Sequence, residues 1–132
     1  MAARTPAKNS ETRTARTRNS RRTNRRAAGL PVTAVELHEA YDTNSIRADT
    51  KYKRQVVEVT GAVIRVNDRT FQVVVELVGD ENDRENTVEC EFTPESRAVL
   101  AALVPDQQVT IRGRCTGKIG RRVFVADAIL VK

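Results

Sequence analysis

From residue 55 onward the chain alternates between apolar and polar positions. Val57, Val59, Gly61 and Val63 share one parity, while Glu58 and Thr60 take the other, the period-two pattern of a half-buried strand. Gly61, mid-run, predicts a bulge or sharp bend, because glycine weakens a strand interior. Asn67-Asp68-Arg69-Thr70 reads as a turn, after which Phe71, Val73, Val75 and Leu77 alternate with Gln72, Val74 and Glu76 to complete a hairpin. Beyond a polar loop over residues 79–86, Val88, Cys90 and Phe92 alternate with Glu89 and Glu91 as a third strand. Val109, Ile111, Gly113 and Cys115 face inward against Thr110, Arg112 and Arg114 in a fourth, and Val123 to Val131 form the last.

Two segments follow a helical period instead. Thr33-Ala34-Val35-Glu36 has the spacing of a capping box, and Leu37, Ala40 and Tyr41 continue at helical intervals, so residues 33–52 are predicted helical with a break near Asn44. Tyr41 and Tyr52 are expected to pack this helix against one barrel opening. Thr93 is a candidate cap for a second helix with Pro94 at its first position, where a missing N–H costs nothing. Val99, Leu100 and Leu103 form its apolar stripe, and Pro105 ends it.

The order is therefore helix, three strands, helix, two strands. Five strands, read as antiparallel, with a helix between the third and fourth predict a mainly β, five-stranded Greek-key OB-fold barrel with an N-terminal helix. A five-stranded SH3-like barrel competes, but has no ten-residue helix at that place. Closing the sheet buries one parity of each strand and removes exposed edges.

Charge changes the picture at the N-terminus. The first 28 residues hold nine cations, Arg4, Lys8, Arg13, Arg16, Arg18, Arg21, Arg22, Arg25 and Arg26, against the single acid Glu11, a net of +8. The whole chain carries +6, so the remainder sums to −2. With no aromatic or β-branched aliphatic residue, this stretch has too little apolar surface to offset the entropy of ordering. Residues 1–29 are thus expected to be a disordered Arg-rich arm and residues 30–132 a single domain. Ser20 to Arg26 superficially matches a twin-arginine export signal, but no apolar stretch follows. The cytoplasm is the expected compartment. Two cysteines, Cys90 and Cys115, are too few for a disulfide framework, although inside a small barrel they would come near enough to leave one disulfide open.

Catalytic chemistry has little to work with. His38, the only histidine, has no metal-ligating partner nearby in sequence and reads as a solvent-facing or rim residue. The acidic loop Asp80 to Glu85 lacks the spacing of an EF-hand, and Gly117 to Gly120 lacks that of a phosphate loop. No enzyme activity, metal or cofactor is expected.

Several residue groups, Leu37-x-x-x-Tyr41-x-x-Asn44, Ala48-Asp49-x-x-Tyr52, Val59-Thr60-Gly61-x-Val63, Cys90-x-Phe92 and Val109-x-Ile111-x-Gly113-x-Cys115-x-Gly117, resemble the bacterial OB-fold family described as tRNA-anticodon-binding-domain-like. The resemblance spans about residues 33–130 and rests on core apolars, turn glycines and a helix–strand junction. It implies the OB fold and kinship with nucleic-acid-binding domains, many of whose relatives carry an export or lipoprotein signal where this chain has its arm.

Binding is the remaining class of function, with DNA or RNA as the expected partner. Arg13, Arg16, Arg18, Arg21, Arg22, Arg25 and Arg26 of the arm are candidate phosphate contacts, with Arg69, Lys118, Arg121 and Arg122 in the loops as secondary ones. Six to eight arm charges on duplex phosphates would give a log-affinity against log-salt slope of roughly −5 to −7. Against binding by the barrel stand Glu76, Glu89 and Glu91, expected on the outer strand face, where they would repel phosphate. Phe71 and Phe92 are expected in the core rather than free to stack on bases. The alternative is a protein-interaction or small-ligand module with no nucleic-acid role.

Overall fold

The computed structural model describes residues 29–132. The arm, with Arg13, Arg16, Arg18, Arg21, Arg22, Arg25 and Arg26, lies outside the described residues.

Thr33 opens the first helix as its spacing predicts. The Glu36 N–H donates to Thr33 Oγ1 and the Thr33 N–H to Glu36 Oε1, each at 3.0 Å, so two donors that a helix start leaves unpaired satisfy each other's residues. Helix α1 (Ala34–Thr43) ends at Asn44, whose side chain at once caps α2 (Ser45–Tyr52) by accepting from the Arg47 N–H at 3.1 Å. The expected break is this shared cap. One element escaped the sequence pattern: Leu30–Thr33 form a short strand, β1, parallel to β2 (Val56–Asp68). A proline in a four-residue run is a weak strand signal, and only the neighbour makes it one.

Strands β2, β3 (Val73–Val78), β4 (Thr87–Phe92), β5 (Gln108–Ile119) and β6 (Arg122–Leu130) follow. They pair in the order β2-β3-β4-β6-β5, and β5 returns to β2, closing a five-stranded barrel with β1 attached. The pairing is mixed rather than wholly antiparallel, since β4 and β6 run parallel. Val57, Val59, Val63, Val75, Leu77, Val88, Cys90, Ile111 and Cys115 fill the interior on the expected parity, joined by Val123 and Val125 of β6. Both cysteines are free thiols.

Helix α1 closes one opening, touching β1, β2, β3, β4 and β6, while α2 lies on β5. Leu37, Tyr41, Ala48 and Tyr52 are buried beneath them, as expected of the two tyrosines. Complete burial of Leu37 alone contributes roughly 1.5–3 kcal/mol. The first helical residue, Ala34, sits directly on Gly61, where a Cβ would lie 2.9 Å from the Ala34 Cβ. Gly61 therefore serves this close approach, and the β2 bulge lies further on, between Val63 and Arg65.

The segment between β4 and β5 is shorter than a ten-residue helix: a 3-10 turn, Pro94–Ser96, leads into the single turn of α3 (Arg97–Leu100). Pro94 takes the first position as expected, but the Thr93 side chain makes no cap bond. Only Leu100 of the predicted stripe is buried; Leu103 is partly covered and Val99 is exposed. Leu100 alone carries this segment into the core cluster, and it lines a shallow hollow with Val66 and Val73.

Candidate nucleic-acid interface

Four strands present a continuous outer face, set in rows by their registers. One row runs Arg65, Glu76, Glu89, Phe124; the next runs Asn67, Val74, Glu91 and on toward Ala126; on the other side Thr87 lies opposite Arg122. The β2–β3 turn, with Arg69 and Phe71, bounds one end, and the β5–β6 turn, with Ile119, Gly120 and Arg121, bounds the other. Gly120 allows that turn by adopting φ 63°, a region costly for side chains bearing a Cβ.

Two of the three carboxylates of this face, Glu76 and Glu89, are engaged by neighbouring side chains. Glu89 is fully buried, with Arg122 Nη1 2.9 Å from Oε2 and Arg69 Nη1 3.7 Å from Oε1. Glu76 accepts from Asn67 Nδ2 at 2.6 Å and lies 4.0 Å from Arg65. Burial pushes the Glu91 carboxyl above its ordinary pKa, the Glu89 charge adds to the rise, and Arg69 opposes it. The expectation of an acidic, phosphate-repelling face is therefore incomplete: arginines reach over Glu76 and Glu89 and offset them, a tertiary arrangement that strand parity does not reveal.

Arg69 and Arg122 converge on Glu89, and Arg121 and Arg122 line one cleft. The four loop cations do not form a single free basic patch. Arg121 pairs with Asp83 and Glu85 and donates to Asn86 Oδ1 at 2.9 Å, which ties the acidic loop to the β5–β6 turn. Lys118 points elsewhere, toward Asp42 of α1 at 3.2 Å. Arg112 and Arg114 are held by Glu58 and Asp127, along a different stretch of β5. Asp80 and Asp83 spend carboxylate oxygens on the Asn82 and Glu85 N–H groups.

Two residues, Phe71 and His38, differ from their expected roles, and a third, Phe124, has no expected role. Phe71 is 88% exposed: the turn extends through Gln72, whose carbonyl accepts the Arg69 N–H at 2.9 Å, so strand parity begins only at Val73. Phe92 is in the core as expected. Phe124, which sequence reasoning passed over, stands half-buried on the outer face beside Glu89; its position on the outward parity of the last strand was the available signal. His38 is buried rather than at a rim, with Nε2 2.9 Å from the Arg121 carbonyl and Nδ1 3.3 Å from Asp42. It fastens α1 to the β5–β6 turn.

A cleft of about 500 Å³ opens on this face, lined by Arg65, Glu76, Thr87, Arg121, Arg122 and Phe124 among others. An aromatic ring amid arginines, on the face and between the loops with which OB-folds bind, suits stacking and phosphate contact together. Among the described residues no group of histidine, cysteine and acidic side chains is arranged to hold a metal ion, and no helix is long and apolar enough to cross a membrane.

Barrel topology and core define an OB-fold domain. The tRNA_anti-like family model matches residues 2–129, and the chain belongs to that family. It is similar in structure to a supposed nucleic acid-binding lipoprotein of Klebsiella pneumoniae subsp. pneumoniae, with a TM-score of 0.67 at 16% identity, covering 82% of this chain and 96% of that one. Two OBodies bound to hen egg-white lysozyme also match, AM3L09 with a TM-score of 0.47, 17% identity, and 62% and 86% coverage of this chain and that one, and AM1L10 with 0.46, 18%, 62% and 84%. No protein with curated annotation matches the chain.

Proposed function

We propose that this chain is a non-catalytic nucleic-acid-binding protein that holds single-stranded DNA or RNA across the outer face of β2, β3, β4 and β6. The observation that carries this reading is the placement of Phe124 in one row with Arg65, Glu76 and Glu89, between arginine-bearing turns. Phe124 supplies a stacking surface, Phe71 a second one at the far turn, and Arg65, Arg69, Arg121 and Arg122 supply phosphate donors. Because the face carries acids as well, it attracts phosphate weakly at a distance. The Arg-rich arm, in this reading, provides the long-range and sequence-independent attraction. The family membership and the likeness to the Klebsiella lipoprotein support it.

The test compares the intact chain, residues 30–132 and Phe124→Ala on a single-stranded oligonucleotide over a salt series. The intact chain is expected to bind with a steep salt slope. Residues 30–132 should bind more weakly with a shallower slope, and Phe124→Ala should lose roughly 1–3 kcal/mol. Absence of binding by the intact chain at low salt would overturn the reading and favour a protein or small-molecule partner. An unaffected Phe124→Ala would remove the barrel face from it.

A further inference from the structure

Glu89 sits where a phosphate-binding face has least use for a carboxylate. Its charge is balanced by Arg69 and Arg122, yet neither contact has hydrogen-bond geometry, so both carboxylate oxygens lack a directional partner. Thr87, on the same strand and face and only 2% exposed, is in the same condition: its Oγ1 has no hydrogen-bond partner among the described residues. Buried polar atoms are nearly always satisfied, and each exception calls for an explanation, of which a partner that binds there is one. Thr87 lines the cleft that Phe124 also lines, and Phe124 lies directly opposite Glu89 in the β4–β6 register.

We propose that Glu89, assisted by Thr87, reads the hydrogen-bond donor edge of a base stacked on Phe124 and so selects guanine over uracil or thymine. This rests on the nucleic-acid reading above. A base lying on the Phe124 ring presents its edge, not its face, to the neighbouring position in the row, which is Glu89. An ionised carboxylate accepts only and has two oxygens to satisfy. Guanine alone among the bases offers two adjacent N–H donors, at N1 and N2, that match both oxygens. Uracil and thymine offer one N–H between two carbonyls, whose oxygens face the carboxylate unfavourably. Adenine and cytosine each pair one amine with an acceptor. Single strands expose these edges to a protein.

Arg69 and Arg122 cover Glu89 in the free protein, and about half of each side chain is exposed (42% and 51%). Their guanidinium groups are therefore free to transfer to the backbone phosphates of the bound strand, where bidentate contacts are stronger. The carboxylate they leave is then satisfied by the base. A strand with uracil at that place leaves it charged and unpaired, a cost that binding must absorb.

Fluorescence anisotropy with the intact chain and three labelled oligouridines tests this: one unsubstituted, one with a single guanine, one with hypoxanthine at the guanine position, which lacks the N2 amine. The guanine strand is expected to bind about tenfold more tightly than the unsubstituted one, as a good bidentate base contact would, with hypoxanthine between them. In Glu89→Gln, shown by its melting curve to be folded, the guanine preference should fall to about twofold or less, since one acceptor is lost. Equal binding of all three strands would overturn the assignment while leaving nucleic-acid binding intact. So would hypoxanthine binding as well as guanine, a result that needs no variant, or a full guanine preference in Glu89→Gln. Binding of none of the strands would overturn the underlying reading together with this one.

Discussion

Tyr41, Cys90 and Cys115 show how burial governs single residues here. Tyr41 donates to Asp49 Oδ1 at 2.8 Å, and burial followed by that hydrogen bond pushes its phenol up. Burial likewise pushes up both thiols. Since the thiolate is the reactive form, neither cysteine should be alkylated by iodoacetamide in the folded protein at mildly alkaline pH, and both should react in concentrated guanidinium; mass spectrometry counts the adducts. Glu91 behaves oppositely to a paired carboxylate. Its folded-state pKa is raised, so the folded protein holds the proton more tightly than the unfolded chain, a contribution to stability present in acid and lost as pH rises through the folded-state value. Glu91→Gln fixes the uncharged form. It should raise the thermal midpoint at neutral pH and leave it unchanged below the usual glutamate pKa of about 4.3; an equal shift at both would indicate packing instead. The inward valines and cysteines were readable from parity alone. Phe71 was not, because its turn runs two residues further along the chain than the sequence suggests, through Gln72, and hydrophobicity cannot report where a turn ends.

At the scale of elements, the start of α1 packs closely on β2 at Gly61, a contact that sequence left unexplained. Gly61→Ala would place a methyl group 2.9 Å from Ala34 Cβ and 3.5 Å from Leu77. Both neighbours are fully buried, so the variant should lose roughly 1–3 kcal/mol by overpacking, measured as a lowered denaturant midpoint with an unchanged m-value. The capping box at Thr33 and the shared cap at Asn44 were legible because side chain and partner lie within one helical turn. β1 was not, since a strand of four residues exists only through its neighbour, and α3 was overestimated because an apolar stripe does not state how much of itself will be covered. His38 belongs to the same class: its partners are Asp42, one turn away, and the carbonyl of Arg121, on another element.

For the molecule as a whole, the core cluster of the described residues runs from Val32 to Ala128, and residues 30–132 are expected to unfold by circular dichroism at the same temperature as the intact chain. A lowered midpoint would assign the arm a structural role. The arm's charge and the order of the barrel's strands along the chain were both written in the sequence, because net charge is a sum over residues and strand alternation is a local periodicity imposed by the pleat; the parallel pairing of β4 with β6 was not, since all five strands read as antiparallel. The character of the outer face was not. It depends on Arg69 and Arg122 reaching Glu89 from separate turns, and on Phe124 arriving beside β4 through a parallel pairing that joins distant segments. The sequence by itself thus determined a mainly β barrel of five strands, most of its core and the charge of a basic arm on a faintly acidic body. Only the tertiary structure decided that the acids of the face are offset and that an aromatic ring lies among them, because both are contacts between residues that chain closure alone brings together.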